Sequence, residues 1–203
     1  MDDEENNEIT LSAYEKGLKE YNDAAIMNVS GSVKDWIDAG LALLTPNAHI
    51  LEIGSAHGRD ARYIESKGFR VERSDAANSF VNFLQQSGYE ARLLNVLKDD
   101  LGGPYDMVFA NAVLLHFNPE QAERVIRKVK DALVDGGLIV FSVKAGTGSG
   151  WSDKKLNDPR FFHYWQERPL RELLDGVGFS VVYFRHAKSG HDNNKWFHVI
   201  ARK

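Results

Sequence analysis

The chain has no cysteine among its 203 residues. Disulfides, thiolate metal sites and cysteine nucleophiles are therefore excluded, and no metal is expected. No apolar stretch approaches the roughly twenty residues of a membrane span. The opening, Met1-Asp2-Asp3-Glu4-Glu5-Asn6-Asn7-Glu8, is acidic, the opposite of a signal or transit peptide. A disordered segment over residues 1–9 and a cytoplasmic setting are expected. Internal repeats are absent. So is any excess of positive charge: 25 Lys/Arg face 29 Asp/Glu, a net −4, which argues against a partner held through nucleic-acid phosphates. A hydrophobic content of 43% and a charged content of 27% suit one globular domain with a substantial core, expected over residues 10–203.

What the chain does have is an apolar run closed by an acid and two glycines. His49-Ile50-Leu51-Glu52-Ile53-Gly54-Ser55-Ala56-His57-Gly58-Arg59-Asp60 leads into Ala61-Arg62-Tyr63-Ile64-Glu65, which has helical periodicity. Glycines at such a strand-to-helix turn let the backbone approach a ligand with no Cβ in the way. The dinucleotide fingerprint G-x-G-x-x-G fails here, because Ala56 and Arg59 occupy its second and third glycine positions. The spacing E-x-G-x-x-x-G is met by Glu52, Gly54 and Gly58. A second strand, Phe69-Arg70-Val71-Glu72-Arg73-Ser74, ends at Asp75. That acid follows the glycine turn at about the twenty-residue interval at which a carboxylate reaches the ribose hydroxyls of an adenosine. A carboxylate accepts from both vicinal hydroxyls at once. Asp75 also precedes Ala76-Ala77-Asn78-Ser79-Phe80 and suits a helix N-cap; the two roles can coexist. Glu72 is the other candidate ribose acid, but strand alternation sets it on the opposite face, and Asp75 at the strand's end is preferred.

Strands and helices alternate along the chain, the pattern of an α/β fold with a mostly parallel sheet. Leu11 to Met27 has weak helical spacing, and a helix near 33–44 ends at Pro46. Strands are predicted near 49–53, 69–74, 91–95, 105–110 and 138–143, and helices near 58–67, 77–87 and 119–134. Asn118 is the candidate N-cap of the last of these, Pro119 its first residue, and Gly136-Gly137 its end. The run Leu138-Ile139-Val140-Phe141-Ser142-Val143 is continuously apolar apart from one serine, as a strand covered on both faces should be. After a helix near 166–175, Phe179–Phe184 and Trp196–Ala201 are joined by a short polar loop, 188–194. With no crossover helix between them they must be antiparallel neighbours.

A glycine turn of this form, an acid after the second strand and a terminal antiparallel hairpin together resemble the class I S-adenosylmethionine-dependent methyltransferases. The resemblance is strong over residues 49–145 and looser over the hairpin. It implies a Rossmann-like, seven-stranded, mostly parallel sheet with helices on both faces and S-adenosylmethionine as cofactor. The motif I turn would contribute Glu52, Gly54, Ser55, Ala56 and Gly58, and Asp75 the ribose contact. The family usually ends its third strand with an acid that bonds the adenine amino group; Asn95, followed by Val96, stands there instead, with a side-chain carbonyl able to accept from that group. Tyr105–Phe117 looks like the fourth strand and the loop behind it, with Asn111 at the strand's end.

His116 lies just past that strand, where parallel sheets bind ligands, and titrates near neutral pH without help. It is the candidate general base, with a packing or helix-capping role as the alternative. In this family acceptor walls come from N-terminal helices, here residues 10–46, and from insertions after the fourth and fifth strands. Tyr14 and Tyr21 resemble an aromatic pair placed before motif I, suited to cations through their ring faces. The glycine-rich segment 144–155 has two readings, a mobile lid that Trp151 closes or a plain connector. Arg160-Phe161-Phe162-His163-Tyr164-Trp165 is rich in rings, part of them for packing; Phe162, His163 and Trp165 are the acceptor-pocket candidates. Residues 151–203 hold ten Lys/Arg against six Asp/Glu, so the first 150 carry −8. That asymmetry reads either as solvated faces or as a modestly basic wall for an anionic substrate, with the acidic half suited to a sulfonium. A small-molecule N or O acceptor is expected. The aromatic end distantly resembles tRNA wobble-uridine methyltransferases, which leaves tRNA modification as an alternative, and a non-catalytic S-adenosylmethionine-binding protein as another. The oligomeric state is not legible.

Overall fold

The computed structural model describes residues 3–188 and 194–203; most of the polar loop expected over 188–194 lies outside the described residues. In chain order the elements are α1 (Asp3–Lys16), α2 (Leu18–Asp23), α3 (Gly31–Leu41), β1 (His49–Ile53), α4 (Arg59–Glu65), β2 (Arg70–Asp75), α5 (Asn78–Gln86), β3 (Ala91–Leu93) and β4 (Tyr105–Asn111). A 3₁₀ turn at Leu114–His116 follows, then α6 (Pro119–Ala132), β5 (Leu133–Lys144), β6 (Ser149–Ser152), β7 (Arg160–His163), α7 (Glu167–Val177), β8 (Ser180–Lys188) and β9 (Lys195–Arg202).

Seven strands form one sheet in the order β3-β2-β1-β4-β5-β9-β8. The first five are parallel neighbours, and β9 runs antiparallel to both β5 and β8. The expected Rossmann-like sheet with a terminal antiparallel hairpin is therefore present. Alternation along the central strands feeds two cores. Leu51, Val108, Ile139 and Phe141 pack on the face that includes α6 and α7 residues such as Val125 and Leu174. Ile50, Met107, Phe109 and Val140 pack on the other, against Trp36 and Ile37 of α3 and Ile64 of α4. Strands buried on both faces read as continuous apolar runs for this reason. Among the described residues, no helix is long and apolar enough to cross a membrane.

Two local expectations need correction. Helix α6 starts as anticipated, with Pro119 first and a reciprocal capping box between Asn118 and Gln121. It ends at Ala132 rather than at Gly136-Gly137, because Leu133 already turns extended and pairs with Tyr105, and the register shifts before Leu138 meets Met107. The segment expected to be disordered is helical from Asp3. Its polar composition hides a stripe at i, i+3, i+4 and i+7: Asn7, Thr10, Leu11 and Tyr14 all line one cavity. Asn7 and Thr10 are buried, the first accepting from Asn95 Nδ2 at 3.0 Å and the second from the Phe161 amide at 3.0 Å. Tertiary hydrogen bonds from polar side chains, together with buried Ala13, hold this helix down.

Candidate active site

The strand order reverses between β1 and β4, and a cavity of about 680 Å³ opens beyond the carboxyl ends of the parallel strands there. This is where open α/β sheets bind ligands, and the volume lies within the range of small-molecule sites. One wall follows the strand ends: Gly54 and Ala56 after β1, Asp75 and Ala76 at β2, Asn95 and Val96 after β3, Asn111 at the end of β4. The facing wall comes from Tyr14 of α1 and Tyr21 of α2, from Lys144 at the end of β5, and from Arg160 and Phe162 of β7.

The motif glycines are required by backbone shape and by space. Gly54 sits at φ +72, and a Cβ there would come within 2.5 Å of Val113 Cγ2. Gly58 caps α4 in the left-handed region at φ +75, and a Cβ would meet Leu84 Cδ2 at 2.8 Å. Side chains are strained in that region. Between them Ser55 ties the turn to β2: its amide donates to the Ser74 carbonyl at 2.9 Å, and its Oγ accepts from the Ser74 amide at 3.2 Å. Glu52, Ser55 and Gly58 do not line the cavity; they build the turn behind it.

Asp75 does line it. Its Oδ2 accepts from the Ala56 amide and its Oδ1 from the Ala77 amide, both at 2.9 Å. The N-cap of α5 is Ala77, so Asp75 braces the turn before the helix rather than capping it. Burial raises its carboxyl to about 6 against the pull of those amides. Glu72 sits away from the cavity and pairs with Arg92 at 2.5 Å. Glu52 is held up at about 8 by burial and by nearby Asp60, and its buried Oε2 has no partner among the described residues. Asn95 uses its carbonyl to accept from the Leu97 amide at 3.1 Å; an amide oxygen has a second lone pair for a ligand. Asn111 donates to Asp60 Oδ2 at 2.7 Å and accepts from Ser142 Oγ at 2.6 Å. A glycine turn with no room for Cβ atoms and a carboxylate on the cavity wall fit an adenosyl cofactor.

On the facing wall His116 is buried, and both ring nitrogens are engaged. Nδ1 lies 2.7 Å from the Phe161 carbonyl, which can only accept, so Nδ1 carries the proton. Nε2 then accepts from the Tyr14 hydroxyl at 2.8 Å. Burial lowers the imidazole to about 3. The histidine expected to act as a base thus already accepts from Tyr14, whose own ionisation burial pushes up. Tyr14 oxygen also accepts from Arg160 Nη1 at 3.3 Å, and no second donor to it is found among the described residues.

The candidates after the fifth strand divide by strand alternation. Arg160, Phe162 and Tyr164 line the cavity, while Trp151, His163 and Trp165 do not. The supposed lid is a hairpin, β6 paired antiparallel to β7. Trp151 is 39% exposed on it and packs edge-on against Phe161 with ring centroids 5.7 Å apart. Trp165 is a core residue at 3% exposure. Sequence reasoning missed Arg160, Lys144, Lys155 and Tyr164 as cavity residues; stepping by two from Phe162 reaches Arg160 and Tyr164.

The profile of a family described as Methyltransferase domain matches residues 26–183. A carboxy-S-adenosyl-L-methionine synthase from Psychrobacter sp. (strain PRwf-1) is 26% identical over 160 residues, which cover 76% of this chain and 57% of that protein. The chain thus spans little more than half the length of that curated relative. The 1,6-didemethyltoxoflavin-N1-methyltransferase of Burkholderia thailandensis, solved with 1,6-didemethyltoxoflavin and S-adenosylhomocysteine, has a TM-score of 0.76 at 22% identity, over 100% of this chain and 91% of its own. The magnesium protoporphyrin IX methyltransferase of Synechocystis PCC 6803, solved with S-adenosylmethionine, has a TM-score of 0.71 at 18% identity, over 100% and 98%. At such identities the likeness is one of fold, and it agrees with the strand order found here. The chain belongs to the methyltransferase-domain family.

Proposed function

We propose that the protein transfers the methyl group of S-adenosylmethionine to a nitrogen or oxygen of a small molecule. The observation that carries this reading is a single cavity with two unlike walls. The strand-end wall has the glycine turn and Asp75; the facing wall has aromatic and cationic side chains suited to an acceptor. The cofactor supplies a methyl already activated by its positive sulfur. The chain's own part is to bind, align and exclude water, which is positioning catalysis. Asp75 holds ribose hydroxyls, and Asn95 and Val96 border the adenine. Phe162 and Tyr21 shape the acceptor's bed. Tyr14, fixed by His116, turns its remaining lone pair toward the acceptor's proton and so orients the nucleophile. With His116 near 3, orientation is favoured over proton removal.

The name of the curated relative describes making a carboxylated form of the same cofactor; what supports the present reading is the shared cofactor, not that product. A cytoplasmic setting belongs to the same proposal, and fractionation tests it. The activity is tested by offering the full chain S-adenosylmethionine with a panel of small metabolites and, alongside, bulk tRNA. Formation of S-adenosylhomocysteine with a small molecule supports the proposal. Turnover with tRNA alone, or cofactor binding without turnover across the panel, contradicts it.

A further inference from the structure

We propose that the acceptor carries a carboxylate on a compact apolar body and that Arg160 anchors it; this rests on the methyltransferase reading of the same cavity. Arg160 is only 6% exposed and lines the cavity. Its Nη1 donates to Tyr14 and its Nη2 to the Lys154 carbonyl, while Nε is buried without a partner. Among the described residues the other buried arginine, Arg73, pairs with the Glu65 carboxylate at 2.6 Å, whereas Arg160 forms no ion pair with a carboxylate. A guanidinium kept from water without a counter-charge is costly, and a ligand carboxylate would supply both the charge and a planar match to its fork.

Other cations converge on the same space. Lys155 Nζ lies 3.6 Å from the centre of the Tyr21 ring and Lys144 Nζ 4.0 Å from that of Phe162, and both line the cavity with Lys154. Burial first, then the like charges of Arg160 and Arg59, hold Lys155 down at about 8. Against Arg160, Lys154 and Lys155 the described lining residues include one acid, Asp75, already bonded to two amides. The rings of Tyr14, Tyr21, Phe162 and Trp196 leave an apolar bed beside the cations. A carboxylate could also come from the methionine tail of the cofactor, and the experiment separates the two sources.

Benzoate and benzamide, which differ in charge and little in shape, are titrated calorimetrically into the full chain saturated with S-adenosylhomocysteine. The expected result is benzoate binding about tenfold or more tighter than benzamide, about 1.4 kcal/mol. Arg160→Gln should remove that preference while its affinity for S-adenosylhomocysteine stays within about twofold. Lys155→Met, which keeps the length of the side chain over the Tyr21 ring, should lower benzoate affinity severalfold. It should also abolish the weakening that wild type shows as pH rises through about 8. Equal binding of acid and amide, or binding of neither while S-adenosylhomocysteine still binds, overturns the proposal. A loss of S-adenosylhomocysteine affinity in Arg160→Gln as large as the loss of benzoate affinity overturns it too, by giving the cations to the cofactor's tail. Failure of wild type to bind S-adenosylhomocysteine at all would instead strike the methyltransferase reading.

Discussion

At the scale of single residues the two buried acids of the motif behave differently. Asp75 has its carboxyl raised to about 6, above the unfolded value of about 3.9. Its contribution to stability is therefore full below about pH 4 and is lost as pH rises through about 6. Cofactor binding runs the other way, because only the ionised form accepts from both ribose hydroxyls. Affinity for S-adenosylhomocysteine should climb as pH rises from about 5 to about 7, and calorimetry on Asp75→Asn should show this climb flattened. Asp75→Ala should weaken binding by roughly 2–3 kcal/mol, the range for charged hydrogen bonds. Glu52, near 8, is protonated at neutral pH, and its stabilising contribution disappears as pH rises through that value. Glu52→Gln copies the protonated form without titrating. It should gain on wild type in denaturant unfolding between about pH 6 and about pH 9, by on the order of 1–3 kcal/mol. For His116→Ala, turnover should fall by about tenfold or less, below the two to four orders expected of a lost base, and no neutral-pH inflection should vanish from the rate profile. Unfolding of the same variant should show a loss of about 1–3 kcal/mol from the Tyr14 hydroxyl left without its acceptor.

Single elements show what the sequence could reveal. The alternation within β7 predicts that Phe162→Ala lowers methyl transfer by about tenfold to a hundredfold through misplacement of the acceptor. His163→Ala and Trp151→Ala should leave turnover near wild type, and equal losses for all three would refute this assignment. Gly58 faces Leu84 of α5, not the cavity. Gly58→Val should therefore cost fold stability, on the order of 2–4 kcal/mol from strain and overpacking, as well as cofactor binding, and urea unfolding measures it. The central strands were legible because apolar runs such as 138–143 reflect cover on both faces. Helix α6 announced its start through Asn118 and Pro119. Its end was not legible, since Gly136 and Gly137 look like a helix stop and Leu133 leaves the helix earlier to meet Tyr105. The first half of helix α1 was missed because Asn7 and Thr10, which composition weighs as surface residues, face inward. The surroundings of His116 were not legible, because sequence shows neither the Phe161 carbonyl nor the Tyr14 hydroxyl that engage its nitrogens.

At the scale of the molecule the sheet does two things at once. Its reversal between β1 and β4 gathers Gly54, Asp75, Asn95 and Asn111 on one wall, residues whose spacing along the chain already marked them. The opposite wall is assembled from α1, α2 and the β6–β7 hairpin, distant in sequence and joined only by folding, so most of its cations were invisible beforehand. Tyr14 and Phe162 were named in advance; Arg160 and Lys155 needed the fold. The central claim is that both walls serve one S-adenosylmethionine-dependent transfer. It is tested most directly by calorimetric titration of the full chain with S-adenosylhomocysteine, with wild type, Asp75→Ala and Tyr14→Phe compared and NAD as the control ligand. One cofactor should bind per chain, with affinity weakened about thirtyfold to a hundredfold in Asp75→Ala and nearly unchanged in Tyr14→Phe, and NAD should give no heat. Absence of S-adenosylhomocysteine binding, or tight binding of NAD in its place, would contradict the central claim.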